Sequence, residues 1–432
     1  MRDRLRPMWC DQLGLMRGKY LPQEKIGAGA TRFAQPCFAV HYDKDLIIDA
    51  PGTNCLDGLP DMELVWRAED IRKGWEPGVH VVTGDLHDRA GDLIPIAGRA
   101  TLRRAIEGWK THGLTPMVGI ELEAFALVRA EYGSLQPYDV PGGYVYGTGP
   151  MNDPNGIVDA IWEAAEDAGF RLEMITTEYD TPQFEFTLVF DEALRAVDDI
   201  VLFRQLAKEV AFKRGVILSF LPKPLADKGG SGLHINLSFL DDAGNNALAT
   251  GGNGAGGIAG MNDLGRGCIA GWMAHHKGLA ALTAPTVNSY DRLQPATLSG
   301  YWCNWGEDHR GVTARVSGEG GKKARLEHRM ADASANAYAA VAAVLQAALL
   351  GYEGRYALPD PETGDCFTGQ SAPHGVAASL AEALDDLEAD TALVAAMGAE
   401  YCAHHLHMKR AEVEKTAEMS ADAVRDFYIW FV

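Results

Sequence analysis

The stretch GIELEAF, Gly119 to Phe125, sets two carboxylates two residues apart in an otherwise apolar run. Side chains of a β-strand alternate between faces, so Glu121 and Glu123 point the same way. Like charges side by side on a half-buried surface repel each other and lose hydration, so such a pair calls for something that compensates it. Other segments carry the same division. In SGLHINLSF (231–239), Leu233, Ile235, Leu237 and Phe239 form one face, and His234, Asn236 and Ser238 the other. In TPQFEFTLVF (181–190), Phe184, Phe186, Leu188 and Phe190 alternate with Gln183, Glu185 and Thr187. ARLEHRMA (324–331) sets Arg325, Glu327 and Arg329 opposite Leu326, His328 and Met330, and GVTARV (311–316) sets Thr313 and Arg315 opposite Val312, Ala314 and Val316.

Each strand therefore has an apolar side for a core and a side rich in Glu, His and Arg without lysine. Any one of these glutamates, taken alone, is more often a solvated strand residue than a ligand. His234 alone is more often a satisfied buried histidine. Matched polarity across the strands tips the reading toward one shared site. Carboxylates grouped with an imidazole suit divalent cations. Interspersed arginine suits carboxylate or phosphate, which a guanidinium grips in a fork. Metal beside arginine on one sheet is what phosphoryl transfer from a nucleotide requires.

The chain of 432 residues suggests two domains, and 47% hydrophobic with 23% charged residues is a folded composition. A net charge of −20 argues against nucleic acid or an anionic membrane surface as partner. Seven cysteines, an odd number without CxxC, fit free thiols in a reducing compartment. No apolar run of signal-peptide or membrane-spanning length is visible, so a cytoplasmic location is expected.

The first hundred residues read as short strands and turns. ATLRRAIEGWKTHG (100–113) is then an amphipathic helix ended by Gly113. A boundary between Pro95 and Gly98 divides the chain into domains 1–97 and 98–432. Helices are expected over 155–169 with Asn155 as cap, 191–215, 268–285, 334–353 and much of the tail from Ala377. The glycine-rich segment 249–265 lacks the Gly-Lys-Ser/Thr of a phosphate loop and reads as a flexible surface loop.

With these motifs in order, the chain resembles the glutamine synthetase family almost end to end. MWCDQLGLMRGKYLP (8–22) resembles the family's opening strand, GIELEAF its GxExEF strand, and EYDTPQFEF (178–186) its paired-glutamate segment. GGSGLHINLSF (229–239) is similar to NGSGMHxHxS and PTVNSYDRL (285–293) to PTxNSYKRL. HRGVTARV (309–316) resembles the arginine strand NRSxxIR, and RLEHRMADASANAY (325–338) the stretch RxExRxxDxxANPY. The resemblance implies an α+β fold: a small N-terminal β-grasp domain, then a large catalytic domain around a curved antiparallel sheet flanked by helices. It further implies two or more Mg²⁺ or Mn²⁺ ions, one held by Glu123, Glu178 and Glu185 and another by Glu121, His234 and Glu327. Substrate glutamate would meet Gly230, Arg292 and Arg329, and ATP would meet Ser238, Arg315, Lys322 and Arg325. Arg310 would face the transferred phosphoryl group. Subunits would form a homo-oligomer, a dodecamer of two stacked hexameric rings, each active site completed by the neighbour's small domain.

Departures gather around the incoming amine. In RLQPATLSGYW (292–302), Leu298 or a neighbour replaces the family's guarding glutamate. The small domain's DGSS turn gives way to IIDAPGTNCLDG (47–58), leaving Asp49 or Asp57 as substitutes for its aspartate. Tyr179 and Asp180 follow Glu178, Asn236 stands for the second histidine of HxH, and Asp291 for the lysine of NSYKR. Losing a carboxylate near an ammonium pocket while gaining an apolar wall favours a larger amine. The expectation is an ATP-dependent ligase that forms γ-glutamyl phosphate and passes the acyl group to a small alkylamine, methylamine first. Asp180 or a small-domain aspartate is the candidate base, although Asp180 reads equally well as a turn residue before Thr181-Pro182. Ligation of polyamines or of ammonium are the alternatives. A non-catalytic structural ring would be expected to have lost metal ligands, and all six are present.

Overall fold

The computed structural model describes residues 3–130, 133–249, 257–365, 367 and 370–432. Most of the glycine-rich segment expected to be a flexible loop, residues 250–256, lies outside the described residues.

Near the N-terminus, β1 (Arg4–Cys10) runs parallel to β2 (Val79–Val82) at the centre of a five-stranded sheet. A three-stranded sheet is built from Ala30–Ala34, Asp61–Val65 and Asp85–His87. β1 serves two cores because its side chains alternate. Leu5 and Trp9 join Phe38, Met62, Leu64 and Val82, whereas Met8 and Cys10 face the main core of the chain. Ion pairs continue the junction, with Arg6 on Glu209 at 2.7 Å and Arg99 on Asp198 at 2.9 Å.

Beyond it, α1 (Gly98–Lys110) leads into β3 (Thr115–Arg129), the strand that carries GIELEAF. The chain continues through α2 (Ile157–Asp167), β4 (Leu172–Thr177), β5 (Gln183–Leu188), α3 (Ala193–Lys213) and β6 (Leu233–Leu240). Helices α4 (Asp263–Ala274) and α5 (His276–Thr283) follow, then β7 (Trp305–Glu307), β8 (Ala314–Val316), β9 (Leu326–His328) and α6 (Ala337–Gly354). The large sheet runs β4-β5-β3-β6-β9-β8-β7, antiparallel throughout except for the parallel pair β7–β8, with three short strands added to β3. The tail carries helices Leu380–Ala389, Thr391–Met397, Ala399–Thr416 and Ala421–Tyr428.

α6 is alanine-rich and nearly all buried. It is the helix, among the described residues, long and apolar enough by composition to cross a membrane, yet 78% of it is buried inside the protein. Small residues let it approach α4 closely: a Cβ at Gly271 would collide with the Ala347 carbonyl.

Three local expectations are corrected. Asn155 does not cap α2, whose cap residue is Gly156; Asp153 Oδ2 accepts from Val158 N at 2.8 Å, and Asn155 Nδ2 donates to Arg214 O instead. The helix expected over 268–285 is two helices that meet at His275. Thr313 turns away from the polar face, since its buried hydroxyl lies 2.7 Å from Gly300 O and 2.6 Å from Trp302 O.

Candidate active site

Sheet register assembles the site. Glu123 pairs with Glu185 across β3–β5, Glu121 with His234 across β3–β6, Asn236 with Glu327 across β6–β9, and Arg315 with Glu327 across β8–β9. Residues directly opposite on adjacent strands share a face, so the carboxylates, the imidazole and the arginine form one continuous polar patch. Glu178 enters just beyond β4, next to the segment that returns as β5.

One oxygen from each of Glu123, Glu178 and Glu185 lies within 4.8 Å of the others, and Glu121, Glu185 and His234 form a second group of the same size. The first group contains the three residues expected together. In the second, Glu185 takes the place expected for Glu327. Two arginines hold that carboxylate: Arg315 donates to Oε2 at 2.9 Å and Arg329 donates to Oε1, which leaves Oε1 3.8 Å from His234 Nδ1.

Electrostatics split the carboxylates. Burial works to raise Glu121, but hydrogen bonds from His234 and Asn236 and the imidazole's charge outweigh it and hold this group at about 2. Burial, reinforced by Glu121, Glu123 and Glu178, pushes Glu185 up to about 9. Burial and the charge of Glu123 also raise Glu178. Four acidic groups and one imidazole set this close fit hard divalent cations, which accept oxygen and nitrogen donors and relieve the mutual repulsion.

A cleft of about 300 Å³ opens over this patch and is shared by Gly230, Arg292, Arg310 and Arg329 with Tyr179, Asp180 and Leu298. Gly230 is required by close approach, because a Cβ there would sit 2.5 Å from Arg292 Cγ and 2.8 Å from Pro222 O. Arg292 is buried and donates to Met330 O at 2.8 Å, which fixes its guanidinium beside the cleft. Arg329 Nε is buried without a hydrogen-bond partner among the described residues. Arg310 is exposed. Asp180 Oδ2 accepts the Gly229 N–H, and Tyr179 is 81% exposed beside it.

A family model described as "glutamine synthetase, catalytic domain" matches residues 96–428. The chain is 34% identical over 354 residues to a γ-glutamylethanolamide synthetase of Streptomyces coelicolor, covering 79% of this chain and 73% of that protein. It is 27% identical to a glutamate–isopropylamine ligase of a Pseudomonas species, covering 96% and 92%. The crystal structure of a novel glutamine synthase homolog superposes with a TM-score of 0.85 at 26% identity, covering 100% of this chain and 99% of that one.

The chain belongs to the glutamine synthetase family. Its fold is the glutamine synthetase fold, and it is an ATP-dependent carbon–nitrogen ligase of that family.

A second cleft of about 460 Å³ meets the first at Glu121 and is lined by three of the four residues expected for ATP: Ser238, Lys322 and Arg325. Arg315, the fourth, is drawn instead to Glu327 and to Asp308 at 3.1 Å. Phe190 belongs here and not in the core. β5 ends at Leu188, so the alternation stops before Phe190, whose ring is 56% exposed on this cleft. Gln183 carries more of the site than its sequence suggested: its amide donates to Glu123 Oε2 at 3.1 Å and to Gly230 O at 3.0 Å. Its place on the Glu185 face of the strand was the available signal. Asp49 is not in either cleft of this chain; it lies 3.2 Å from His407 Nε2 on the helix Ala399–Thr416.

Proposed function

We propose that this enzyme joins the γ-carboxylate of L-glutamate to a small primary alkylamine at the expense of ATP, releasing ADP and phosphate. The observation that carries the choice of amine is the rim of the first cleft. Leu298 stands there between Thr297 and Ser299, facing the same space as Tyr179 and Asp180. A bare ammonium ion is best held by anions, whereas an apolar wall adds about 1 kcal/mol for each methyl group it covers. Methylamine is the smallest substrate of this class. Relatives named for ethanolamine and isopropylamine, amines of two and three carbons, support a pocket for an alkylamine.

Glu121, Glu123, Glu178, Glu185, His234 and Glu327 would hold Mg²⁺ or Mn²⁺, whose charge neutralises the crowded phosphates and carboxylate. The chain's own residues do the rest. Ser238, Lys322 and Arg325 receive the nucleotide in the second cleft, and Arg315 reaches it on leaving Glu327. Arg329, with its unpaired Nε, and Arg292 orient the glutamate carboxylate against Gly230. Arg310 meets the phosphoryl oxygens during transfer from ATP to the γ-carboxylate. The amine then attacks the acyl carbon and phosphate leaves. An alkylammonium has a pKa of about 10, so a carboxylate must take its proton first, and Asp180, which lines the same cleft, is the candidate. The same reading places the enzyme in the cytoplasm, in keeping with six described cysteines free of disulfides. It also makes the enzyme a dodecamer of stacked hexameric rings with shared active sites.

The test is phosphate release with ATP and glutamate across ammonium, methylamine, ethylamine, ethanolamine, isopropylamine and putrescine. Highest kcat/KM is expected with a monoamine of one to three carbons. A higher value for ammonium would overturn the alkylamine reading, and a higher value for putrescine would replace it with a polyamine ligase.

A further inference from the structure

We infer that His276, Cys303 and His374, with the thioether of Met273, form a site for a soft d¹⁰ cation, zinc(II) or copper(I), separate from the acidic cluster. One ligand atom from each of His276, Cys303 and His374 lies within 4.8 Å of the others. Met273 Sδ lies 3.9 Å from Cys303 Sγ, which adds a fourth soft donor to two imidazoles and a thiol. Three parts of the fold hold the group in place. Met273 ends near the close of α4, and His276 is the first residue of α5. Cys303 N donates to His374 O at 3.0 Å, tying the other two donors into adjacent segments.

Hydrogen bonding selects the tautomer that can bind. The Thr313 hydroxyl has one proton and lies within bonding distance of two carbonyl oxygens, Gly300 O and Trp302 O. Toward His276 Nε2, 3.3 Å away, that oxygen therefore accepts, and the imidazole proton resides on Nε2. Nδ1 is left with a free lone pair, fully buried and without a hydrogen-bond partner among the described residues. A ligating histidine whose other nitrogen donates to the protein is the usual arrangement at metal centres. Burial, helped by His374 and His328, lowers His276 to about 3, so the ring stays neutral and able to ligate. His374 is half-buried and gives the ion a way in from solvent.

The donor set decides the class of ion. Thiolate, thioether and imidazole favour zinc(II) and copper(I), whereas Mg²⁺ and Mn²⁺ prefer oxygen and stay with the glutamates. On binding, the Cys303 S–H bond is exchanged for a sulfur–metal bond and its proton goes to solvent. No electron transfer is involved.

Cobalt(II) distinguishes the two sites, since only a thiolate ligand gives a near-ultraviolet sulfur-to-metal charge-transfer band. Full-length reduced enzyme, stripped with a chelator, is titrated with cobalt(II) in the presence of excess Mg²⁺. The expected result is a charge-transfer band that saturates near one equivalent and is displaced by zinc(II). A parallel titration against a coloured copper(I) chelator ranks the two d¹⁰ ions. Cys303→Ser should abolish the band while leaving Mg²⁺-supported phosphate release intact. His374→Gln, at a half-buried position, should weaken cobalt binding by about tenfold or more and serves if Cys303→Ser fails to fold. Absence of the band in the unmodified enzyme, a band that survives Cys303→Ser, or an unchanged cobalt affinity in His374→Gln overturns the site.

Discussion

Glu185 takes part in both acidic groups that could hold a cation, and its charge state would link pH to cation binding. Its ordinary value is 4.5 and burial beside three carboxylates raises it to about 9 in the folded chain. A raised carboxylate favours folding below its unfolded value, and that advantage is lost as pH climbs through the folded value. Metal-free enzyme should therefore lose thermal stability between about pH 5 and about pH 9, and the Tm gain from Mg²⁺ should grow over the same window. Differential scanning fluorimetry with and without a chelator reads both trends, and a Tm gain that does not vary with pH would remove Glu185 from the cation's coordination. Two further residues separate the half-reactions. Glu327→Ala leaves Arg315 and Arg329 without their shared carboxylate, and phosphate release should fall by about 100-fold or more. Asp180→Ala should mainly raise the KM for amine, with KM for ATP and glutamate within about threefold of the parent enzyme. Unchanged amine saturation would exclude Asp180 as the base. Glu121, Glu123, Glu185, His234 and Glu327 were legible in the sequence because strand alternation puts them on polar faces, whereas Glu178 lies past the end of β4 and was marked only by the family resemblance. The partners of Glu327 were not, because two arginines compete for a single carboxylate and only the folded geometry decides which oxygen each takes.

Among the elements, α6 depends on its first turn. Asn336 Oδ1 accepts from Tyr338 N at 3.1 Å and Ala339 N at 3.3 Å, while its Nδ2 donates to Asp11 O at 2.8 Å. The cap thus ties the buried helix to the chain just past β1. Asn336→Ala should cost about 1–2 kcal/mol of stability, measurable by urea unfolding, and change kcat by less than about twofold. A destabilisation well below that range would show that the Asp11 contact and the cap are dispensable. Helix positions from α1 to α6 could be read from apolar periodicity, but their ends could not. The break at His275 has no proline or glycine to announce it. It arises because α4 packs on α6 whereas α5 packs on Leu380–Ala389, and His275 Nδ1 is anchored 2.7 Å from Asp390. Such partners are remote in sequence, so no local pattern encodes them. The same reason explains Asn155, whose side chain is taken by a carbonyl of the distant Arg214.

The whole molecule raises the question of where the N-terminal aspartate acts. Within one chain Asp49 contacts His407 and neither cleft, so a part in amine handling requires that it reach the site of another copy. Closed rings of identical subunits offer this, since a head-to-tail interface sets one surface of each chain against a different surface of the next. The prediction is complementation. Asp49→Ala subunits would lack the donated carboxylate and Glu185→Ala subunits the metal-ligating one, so each homo-oligomer would turn over amine poorly. After the two are mixed, dissociated and reassembled in equal amounts, about a quarter of interfaces should combine an intact N-terminal surface with an intact cleft. Activity with a saturating alkylamine should recover to about that fraction, and mass photometry should report an assembly of subunits and not a monomer. If mixing restores nothing although rings re-form, the site is complete within a single chain. Asp49 would then be no more than the surface partner of His407.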